Sequence, residues 1–327
     1  MGLKQLQVRI KNLVMSTPLM TASGTSGTCD ELERLRNWER IVDAIGAFVT
    51  KGVTLEPRVG NPELRVVETR TGLGLLNSIG LHNSGAKVFV AKELPGLLRY
   101  GVNIVVNISA STVEEFGRLA SYLVENDVNT TIAGLEINVS CPNIKEGGAA
   151  FGINPRLVEK VVRTVKKAAG ERITIITKLT PNVSDITLPA RAAIQGGTDA
   201  LSMINTVRGM AINIATGKPY LGNVYGGLSG PAIKPVGVFM VYECFKKIPE
   251  CNKGAVPIVG IGGISCWEDA VEYIMAGATA VGIGTARFVN PDVFCQVKKG
   301  LLDYLKTRGS YSTIANLVGV SHNRDMP

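Results

Sequence analysis

The residues best suited to chemistry in this sequence stand directly after short apolar runs. Lys51 and Lys178 each end such a run, where an unpaired ammonium group is costly to bury, so an anionic or electron-rich partner should face each of them. Cys141 lies in the segment EINVSCPN, residues 136–143, just before the glycine-rich stretch 145–152. A thiol there can act as a general base or a nucleophile beneath a closing lid. Surface lysines and an inert buried cysteine are the alternatives.

Four asparagines, Asn77, Asn138, Asn143 and Asn205, add neutral amides to this set. An amide side chain both donates and accepts hydrogen bonds, which matches the alternating N–H and C=O edge of a pyrimidine-like ring. Together they predict a planar, polar, heterocyclic substrate, although asparagine also caps turns without any ligand.

Two glycine turns, VGIGGIS at 259–265 and VGIGTA at 281–286, follow the last two predicted strands. Bare backbone N–H groups at such turns, together with a helix amino end, hold phosphate in barrel enzymes. We therefore predict a phosphate-binding corner here, the alternative being tight left-handed turns with no ligand.

A repeated rhythm of strand and helix must position these residues. Strand candidates lie at 18–22, 47–51, 103–107, 135–139, 173–178, 200–204, 257–260 and 280–284. Amphipathic helix candidates lie at 112–124, 156–168, 185–195, 236–247, 267–276 and 291–307. Buried strands that alternate with helices predict a single (β/α)₈ TIM barrel domain over residues 1–327, with 308–327 as a polar C-terminal appendage. Long connections at 52–100, 142–154 and 207–235 leave the carboxyl ends of strands, where barrel enzymes build their sites.

Composition excludes several classes of function. The chain has only two histidines, which argues against a Ser-His-Asp hydrolase and against a His-rich metal site. Its six cysteines contain no C-x-x-C pair, which argues against zinc or an iron–sulfur cluster held by this chain. The net charge of +8 is dispersed and not interleaved with aromatic residues, so it favours an anionic small ligand, or no special partner, over nucleic acid. No apolar stretch reaches the roughly 20 residues of a membrane span, and we expect a cytoplasmic protein.

Three motifs carry a resemblance to a known family: NSIGLHN at 77–83, INVSCPN at 137–143 and GGLSGPAIKP at 226–235. From about Val8 to about Gly300 the sequence resembles the class 1 dihydroorotate dehydrogenases. The resemblance implies a barrel that binds FMN and oxidises (S)-dihydroorotate to orotate in pyrimidine biosynthesis. It also implies that Cys141 removes the C5 proton while C6 delivers hydride to the flavin. Class 2 enzymes, with a serine at this position and a membrane segment, are less similar.

Carried over by motif position, the site of that family falls on residues spread along the whole barrel. The implied FMN ligands are Ser23, Lys51, Gly52, Asn107, Asn138, Lys178, Ile204, Gly230, Gly262, Gly263, Gly284 and Thr285. The implied substrate ligands are Lys51, Asn77, Ser78, Ile79, Gly80, Leu81, Asn138, Asn143, Asn205 and Thr206. The phosphate then falls on the two glycine turns, as the residues alone predict. Lys178 would face the electron-rich edge of the flavin, and Lys51 would lie between flavin and substrate.

Within class 1, GGLSGPAIKP and TKGVTLEPR at 50–58 are more similar to class 1B. That similarity implies a partner subunit with FAD and an iron–sulfur cluster, which passes electrons to NAD, around a homodimer core of a heterotetramer. The chain has no cluster motif and no dinucleotide fingerprint of its own, which fits the need for a partner. Fumarate as the acceptor, as in class 1A, stays open. The sequence departs from the family at Ser26, where an aromatic residue is usual, and in its extended tail after Gly300.

Three rival functions stay open. A dihydropyrimidine (dihydrouracil) dehydrogenase uses a similar barrel, FMN and cysteine, but Lys51 and the backbone donors at 77–81 favour a substrate with a carboxylate. A nucleic-acid-binding module rests on the net charge alone and predicts binding that falls steeply with salt. A flavin-free phosphosugar barrel would bind phosphate without any yellow colour.

Overall fold

The computed structural model describes residues 2–28, 31–32, 38–70, 72–140, 151–307 and 311–323 of the chain. The strands are β1 (Val8–Ile10), β2 (Leu13–Met15), β3 (Leu19–Thr21), β4 (Ala47–Val49), β5 (Val66–Glu68), β6 (Leu75–Asn77), β7 (Asn103–Ile108), β8 (Ile132–Asn138), β9 (Thr174–Lys178), β10 (Ala200–Met203), β11 (Val207–Gly209), β12 (Ile212–Asn213), β13 (Lys218–Pro219), β14 (Gly226–Ser229), β15 (Ile258–Ile261) and β16 (Ala278–Ile283). The α-helices are α1 (Gly2–Leu6), α2 (Trp38–Ala44), α3 (Ala86–Val88), α4 (Leu94–Leu98), α5 (Val113–Glu125), α6 (Pro155–Ala169), α7 (Thr187–Gln195), α8 (Lys234–Lys247), α9 (Pro249–Asn252), α10 (Trp267–Met275), α11 (Ala286–Val289) and α12 (Val293–Thr307). A π-helix lies at Phe89–Glu93, and 3₁₀ turns lie at Phe151–Ile153, Pro231–Ile233, Ile314–Leu317 and Val320–His322.

Eight strands close into a parallel barrel in the order β3, β4, β7, β8, β9, β10, β15, β16. The last strand returns to the first through the pair Val281 and Leu19, which closes the ring. This confirms the predicted (β/α)₈ barrel. The eight predicted strands are the eight barrel strands, and their ends differ from the prediction by at most three residues.

The barrel strands are apolar along their length because both of their faces are buried. All residues of β9 and β10 are buried. The largest difference from the predicted bounds is at the start of β8, where Asp127 supplies the reason. Its carboxylate accepts the backbone N–H groups of Thr131 at 2.7 Å and Ile132 at 3.0 Å, so the chain is already held extended before the apolar run begins.

Side-chain caps begin two of the outer helices at the expected places. The Thr112 side chain accepts the Glu115 N–H at the start of α5, and Asn154 accepts the Arg156 N–H at the start of α6. The six predicted helices are α5, α6, α7, α8, α10 and α12, with ends shifted by no more than two residues. Local periodicity therefore predicts all six of these helices, and side-chain caps fix where α5 and α6 begin.

Two of the long connections meet in a four-stranded antiparallel sheet in the order β11, β14, β6, β5, which we call the mouth sheet. Its central pair places Gly227 of β14 opposite Asn77 of β6. The sheet therefore joins segments 150 residues apart in the chain. The third long connection, 142–154, lies mostly outside the described residues.

The predicted C-terminal appendage packs against the barrel in its described part, residues 311–323. Ile314 and Leu317 are buried, and the ring of His322 stacks on Tyr242 of α8 with centroids 3.9 Å apart. The N–H of Gly319 donates to a carbonyl at the end of α10. The apolar residues of this segment thus extend the core, while the assignment of the whole chain to one domain stays a prediction.

Candidate active site

A cavity of about 450 Å³ opens at the carboxyl ends of the barrel strands. Residues at the end of each barrel strand line it, and residues of the mouth sheet complete the wall. The predicted cofactor residues on this wall are Ser23, Lys51, Gly52, Asn107, Asn138, Lys178, Ile204, Gly230, Gly262, Gly263, Gly284 and Thr285. The predicted substrate residues on it are Lys51, Asn77, Ser78, Ile79, Gly80, Leu81, Asn138, Asn205 and Thr206. Cys141 and Asn143 lie outside the described residues, and every other predicted site residue is on the wall.

The first glycine turn has a backbone that only glycine adopts easily. Gly262 and Gly263 have φ angles of 126° and 71°, in the left-handed region. A Cβ on Gly263 would lie 2.9 Å from the backbone nitrogen of Lys234 and 3.0 Å from the carbonyl oxygen of Gly230. The turn is also anchored from the core, since the Tyr273 hydroxyl donates to the Gly262 carbonyl at 2.8 Å. Bare backbone is therefore packed against one end of the cavity, as a phosphate site requires.

Asp269, which the sequence analysis did not single out, holds the far side of this turn. One of its oxygens accepts the backbone N–H and the hydroxyl of Ser265 at 2.8 and 2.9 Å. The other accepts the Lys234 ammonium at 2.8 Å. Burial by itself raises the pKa of this carboxyl, but the hydrogen bonds from Lys234 and Ser265 outweigh it and lower the pKa to about 2. The aspartate is thus ionised at neutral pH and ties the turn to α8.

An amide network occupies another part of the wall. The Asn205 side-chain NH₂ donates to Asn138 Oδ1 at 3.2 Å and to Ser140 Oγ at 3.0 Å. Asn205 Oδ1 in turn accepts the Thr206 N–H at 2.8 Å. Asn138 Oδ1 also accepts the Ser140 N–H, which is the local turn interaction that asparagine often makes. Asn138 therefore caps a turn and lines the cavity as well, so the two interpretations of this residue are compatible.

The segment 77–81 enters the cavity wall from the mouth sheet. The Asn77 NH₂ donates to the Gly227 carbonyl at 3.1 Å. Gly80 has a φ of 73°, and a Cβ there would lie 2.5 Å from the backbone nitrogen of Asn61. The Ser78 hydroxyl is buried and has no hydrogen-bond partner within the described chain. A ligand in the cavity can supply that partner.

A buried carboxylate, Glu136, lies behind Asn107 and Lys178 of the cavity wall and was missed by the sequence analysis. Its two oxygens accept hydrogen bonds from Asn107 Nδ2 at 2.7 Å and from Ser202 Oγ at 2.8 Å. The Lys178 ammonium is 3.8 Å from the same carboxylate. The available signal was its position, because Glu136 stands two residues before Asn138 in an apolar strand and so shares the inward face with it.

Comparison with known proteins decides the family. Residues 5–305 match the sequence model of the family described as dihydroorotate dehydrogenase. The chain belongs to the dihydroorotate dehydrogenase family.

Curated relatives cover nearly the whole chain. The catalytic subunit of dihydroorotate dehydrogenase B (NAD(+)) from Thermoanaerobacter sp. (strain X514) is 48% identical over 300 residues, which is 92% of this chain and 93% of the relative. The protein of that name from Caldicellulosiruptor bescii is 45% identical over 314 residues, 96% of this chain and 98% of the relative. The one from Geotalea daltonii is 43% identical over 319 residues, 98% of this chain and 99% of the relative.

In this dihydroorotate dehydrogenase family member two lysines reach the cavity wall. Lys51 and Lys178 line it, and no Asp or Glu does so within the described ranges. Two cations facing a partly apolar cavity favour anionic ligands. Within the described residues, no group of His, Cys, Asp or Glu is placed to hold a metal ion, and no helix is long and apolar enough to cross a membrane.

The described cysteines of this family member are poor nucleophiles. Burial raises the pKa of Cys251 to about 12 and that of Cys266 to about 11, and it also raises the pKa values of Cys244 and Cys295. A protonated thiol neither attacks nor accepts a proton. Among the described thiols, none therefore competes with Cys141 for the predicted catalytic role.

Proposed function

We propose that this chain oxidises (S)-dihydroorotate to orotate with FMN as the hydride acceptor, in pyrimidine biosynthesis in the cytoplasm. One observation carries the proposal. In this chain of the dihydroorotate dehydrogenase family, one cavity combines two features. It has a glycine turn suited to phosphate, and it has a cluster of amides and lysines suited to an anionic heterocycle. The relatives named above are catalytic subunits of NAD(+)-linked dihydroorotate dehydrogenase, which supports the same reaction here.

The family is flavin-dependent, and the residues present fit FMN. Asn107 Oδ1 and Ser78 Oγ are buried acceptors without a partner in the described chain, as expected of groups that await a ligand. The cradle formed by Gly263, Gly230 and Lys234 has no room for a Cβ and so presents bare backbone to a phosphate. When bound, FMN supplies the two-electron hydride acceptor that the protein side chains lack.

The protein's own groups divide the remaining work. The glycine turns at 262–263 and 284–285 would hold the phosphate, and Lys178 and Asn107 would hold the flavin ring from the barrel interior. Lys51 and the segment 77–81 would bind the substrate carboxylate, with the amides of Asn138, Asn143 and Asn205 along the pyrimidine ring. Cys141, the residue after Ser140, would accept the C5 proton.

The first test uses the purified chain and its visible absorption spectrum. A yellow protein whose flavin band bleaches anaerobically with dihydroorotate, and not with dihydrouracil, supports the proposal. Bleaching by dihydrouracil would assign the chain to the dihydropyrimidine dehydrogenases instead. A colourless chain that takes up no added FMN would refute the flavin assignment.

The proposed base has its own test in paired variants. Cys141→Ala should retain FMN and lose dihydroorotate oxidation by roughly 10²- to 10⁴-fold, the usual contribution of general acid–base catalysis. Cys295→Ala is the matched control, because its half-buried thiol contacts the Arg40 carbonyl away from the cavity. Cys141→Ser should be partly active at high pH and not at neutral pH, because a serine hydroxyl ionises much less readily than a cysteine thiol. Normal turnover by Cys141→Ala would show that another group takes the proton.

We further propose that the chain forms a homodimer core and hands its electrons to NAD through an FAD and iron–sulfur partner subunit. The relatives' names support a partner, because each is called a catalytic subunit. The isolated chain should then reduce its flavin with dihydroorotate but reduce NAD slowly until the partner is added. Rapid reoxidation by fumarate alone would instead place it with the fumarate-using enzymes.

A further inference from the structure

The interior of the barrel holds an ionisable group that the reaction outlined above does not use. Glu136 is only 3% exposed, and Asn107 and Ser202 around it are 1% and 0% exposed. Burying a carboxylate is costly unless hydrogen bonds and a counter-charge compensate. Here both of its oxygens are hydrogen-bonded and the Lys178 ammonium lies 3.8 Å away, so the group is held in one place.

Glu136 decides which end of the Asn107 amide faces the ligand. A carboxylate accepts hydrogen bonds only, so the Asn107 NH₂ must point toward it, at 2.7 Å. The Asn107 oxygen then lies on the other side, buried and without a partner in the described chain. It lies against Gly52 on the cavity wall, where a Cβ would come within 3.2 Å of it. The glutamate thus fixes the amide of Asn107 with its hydrogen-bond acceptor toward Gly52 of the cavity wall.

Glu136 also offsets the charge of Lys178 without using up its hydrogen bonds. A separation of 3.8 Å is too long for a hydrogen bond, so the ammonium keeps its donors for a ligand in the cavity. At that distance the two charges still attract each other strongly in a buried setting. A ligand therefore meets lysine donors that belong to a nearly neutral pair rather than to a lone cation.

We propose that Glu136 is a positioning residue that orients Asn107 toward the flavin and, by offsetting Lys178, keeps the reduction potential of the bound flavin low. The inference rests on the proposed function. A reduced flavin carries more negative charge than an oxidised one, so an uncompensated lysine favours the reduced state. A low potential suits a chain that must pass its electrons onward to NAD.

The test is Glu136→Gln, which removes the charge and can keep both hydrogen bonds, since its amide accepts from Asn107 and donates to Ser202. Glu125→Gln, an exposed position at the end of α5, is the matched control for the loss of one negative charge. The midpoint potential of the FMN-loaded protein is measured by equilibration with a reference dye. We expect Glu136→Gln to favour the reduced flavin by about tenfold, a rise of about 30 mV for a two-electron couple.

An equal or lower potential in Glu136→Gln than in Glu125→Gln would overturn the inference, because a glutamate that merely fills the core would not move the potential. If Glu136→Gln does not fold, the comparison moves to Lys178→Gln with and without Glu136→Gln. In the double variant both members of the pair are neutral, so no charge is left buried alone. The double variant should have the higher potential, because the lone carboxylate left in Lys178→Gln disfavours the reduced flavin, and equal potentials would show that the charge of Glu136 does not act on the flavin.

The two proposals fail in distinguishable ways. If the wild-type chain and Glu125→Gln take up no FMN, measured by quenching of flavin fluorescence, then both the proposed function and this inference are wrong. If both take up FMN and Glu136→Gln shows an unchanged potential, the inference alone is wrong.

Discussion

The substitution Gly227→Ala would test whether the mouth sheet positions the substrate. An ideal Cβ on Gly227 would lie 2.0 Å from Oγ1 and 2.5 Å from Cβ of Thr206. Carbon contacts are comfortable only at about 3.5 Å or more, so the backbones at Gly227 and Thr206 must separate by roughly 1 Å. Rotation of the threonine side chain cannot relieve the overlap, because its Cβ is itself too close.

The displacement passes directly into the amide network. The Thr206 N–H donates to Asn205 Oδ1 at 2.8 Å, and Asn205 contacts Asn138 and Ser140. Overpacking of this kind costs about 1–3 kcal/mol. If Thr206 moves to relieve the overlap, the same free energy is needed to return it to the position that the transition state requires. A change of about 1.36 kcal/mol in activation free energy is a tenfold change in rate, so kcat/KM for dihydroorotate should fall roughly 5- to 160-fold. The FMN content should stay unchanged, because the nearest neighbours of a Cβ on Gly227 are atoms of Thr206 and not of the glycine turn at 262–263.

The assay is steady-state oxidation of dihydroorotate, with flavin content taken from the visible spectrum. Gly209→Ala is the control in the same sheet. Its Cβ would meet the tip of the Leu76 side chain at 3.0 Å, which a shift of a few tenths of an ångström relieves. Unchanged kcat/KM in Gly227→Ala, or an equal loss in Gly209→Ala, would refute the idea that this contact orients the substrate side of the site.

Three further outcomes are expected. Gly263→Ala should weaken FMN binding by at least tenfold in a fluorescence titration. Gly254→Ala is the control and should not weaken it, because Gly254 has a similar φ of 74° but open space for a Cβ. Equal affinities in the two variants would show that this turn does not bind the phosphate. Leu317→Ala, at a fully buried position of the C-terminal segment, should lower the free energy of unfolding by about 2–5 kcal/mol in urea, and an unchanged midpoint would show that this segment adds no stability. The folded pKa of Asp269 lies near 2, below its ordinary 3.8, so its stabilising effect is present above about pH 4 and is lost as pH falls toward 2. Asp269→Asn should therefore lower stability at neutral pH and flatten its acid dependence, as followed by urea unfolding at several pH values; a dependence as steep as in the wild type would contradict this.

Much of the barrel is predictable from the sequence because its signals are local. Strands buried on both faces, such as β9, read as apolar runs, and the outer helices begin at capping residues such as Thr112 and Asn154. Left-handed turns favour glycine, so the turn at 262–263 is visible in the chain as a motif. In each case the deciding interactions lie within a few residues of one another.

The candidate site residues are predictable in type, because polar groups stand at the ends of many apolar strands and the carboxyl ends of barrel strands meet at one face. What the sequence does not show is which of them share hydrogen bonds. Asn138 and Asn205 are 67 residues apart, and their contact follows from the order of strands in the closed barrel. Local patterns do not encode that order.

By itself, then, the sequence determined the barrel, its glycine turns and the wall residues of one cavity, since each depends on short-range periodicity, glycine or strand ends. Only the tertiary structure decided that Glu136 lies between Asn107, Ser202 and Lys178, a contact set drawn from four different strands. It also decided that β6 and β14 join across 150 residues and that the C-terminal segment is part of the core. These features depend on closure of the barrel, which brings distant segments together. A buried carboxylate is stable only where its hydrogen-bond partners and counter-charge converge, because they offset the cost of removing it from water.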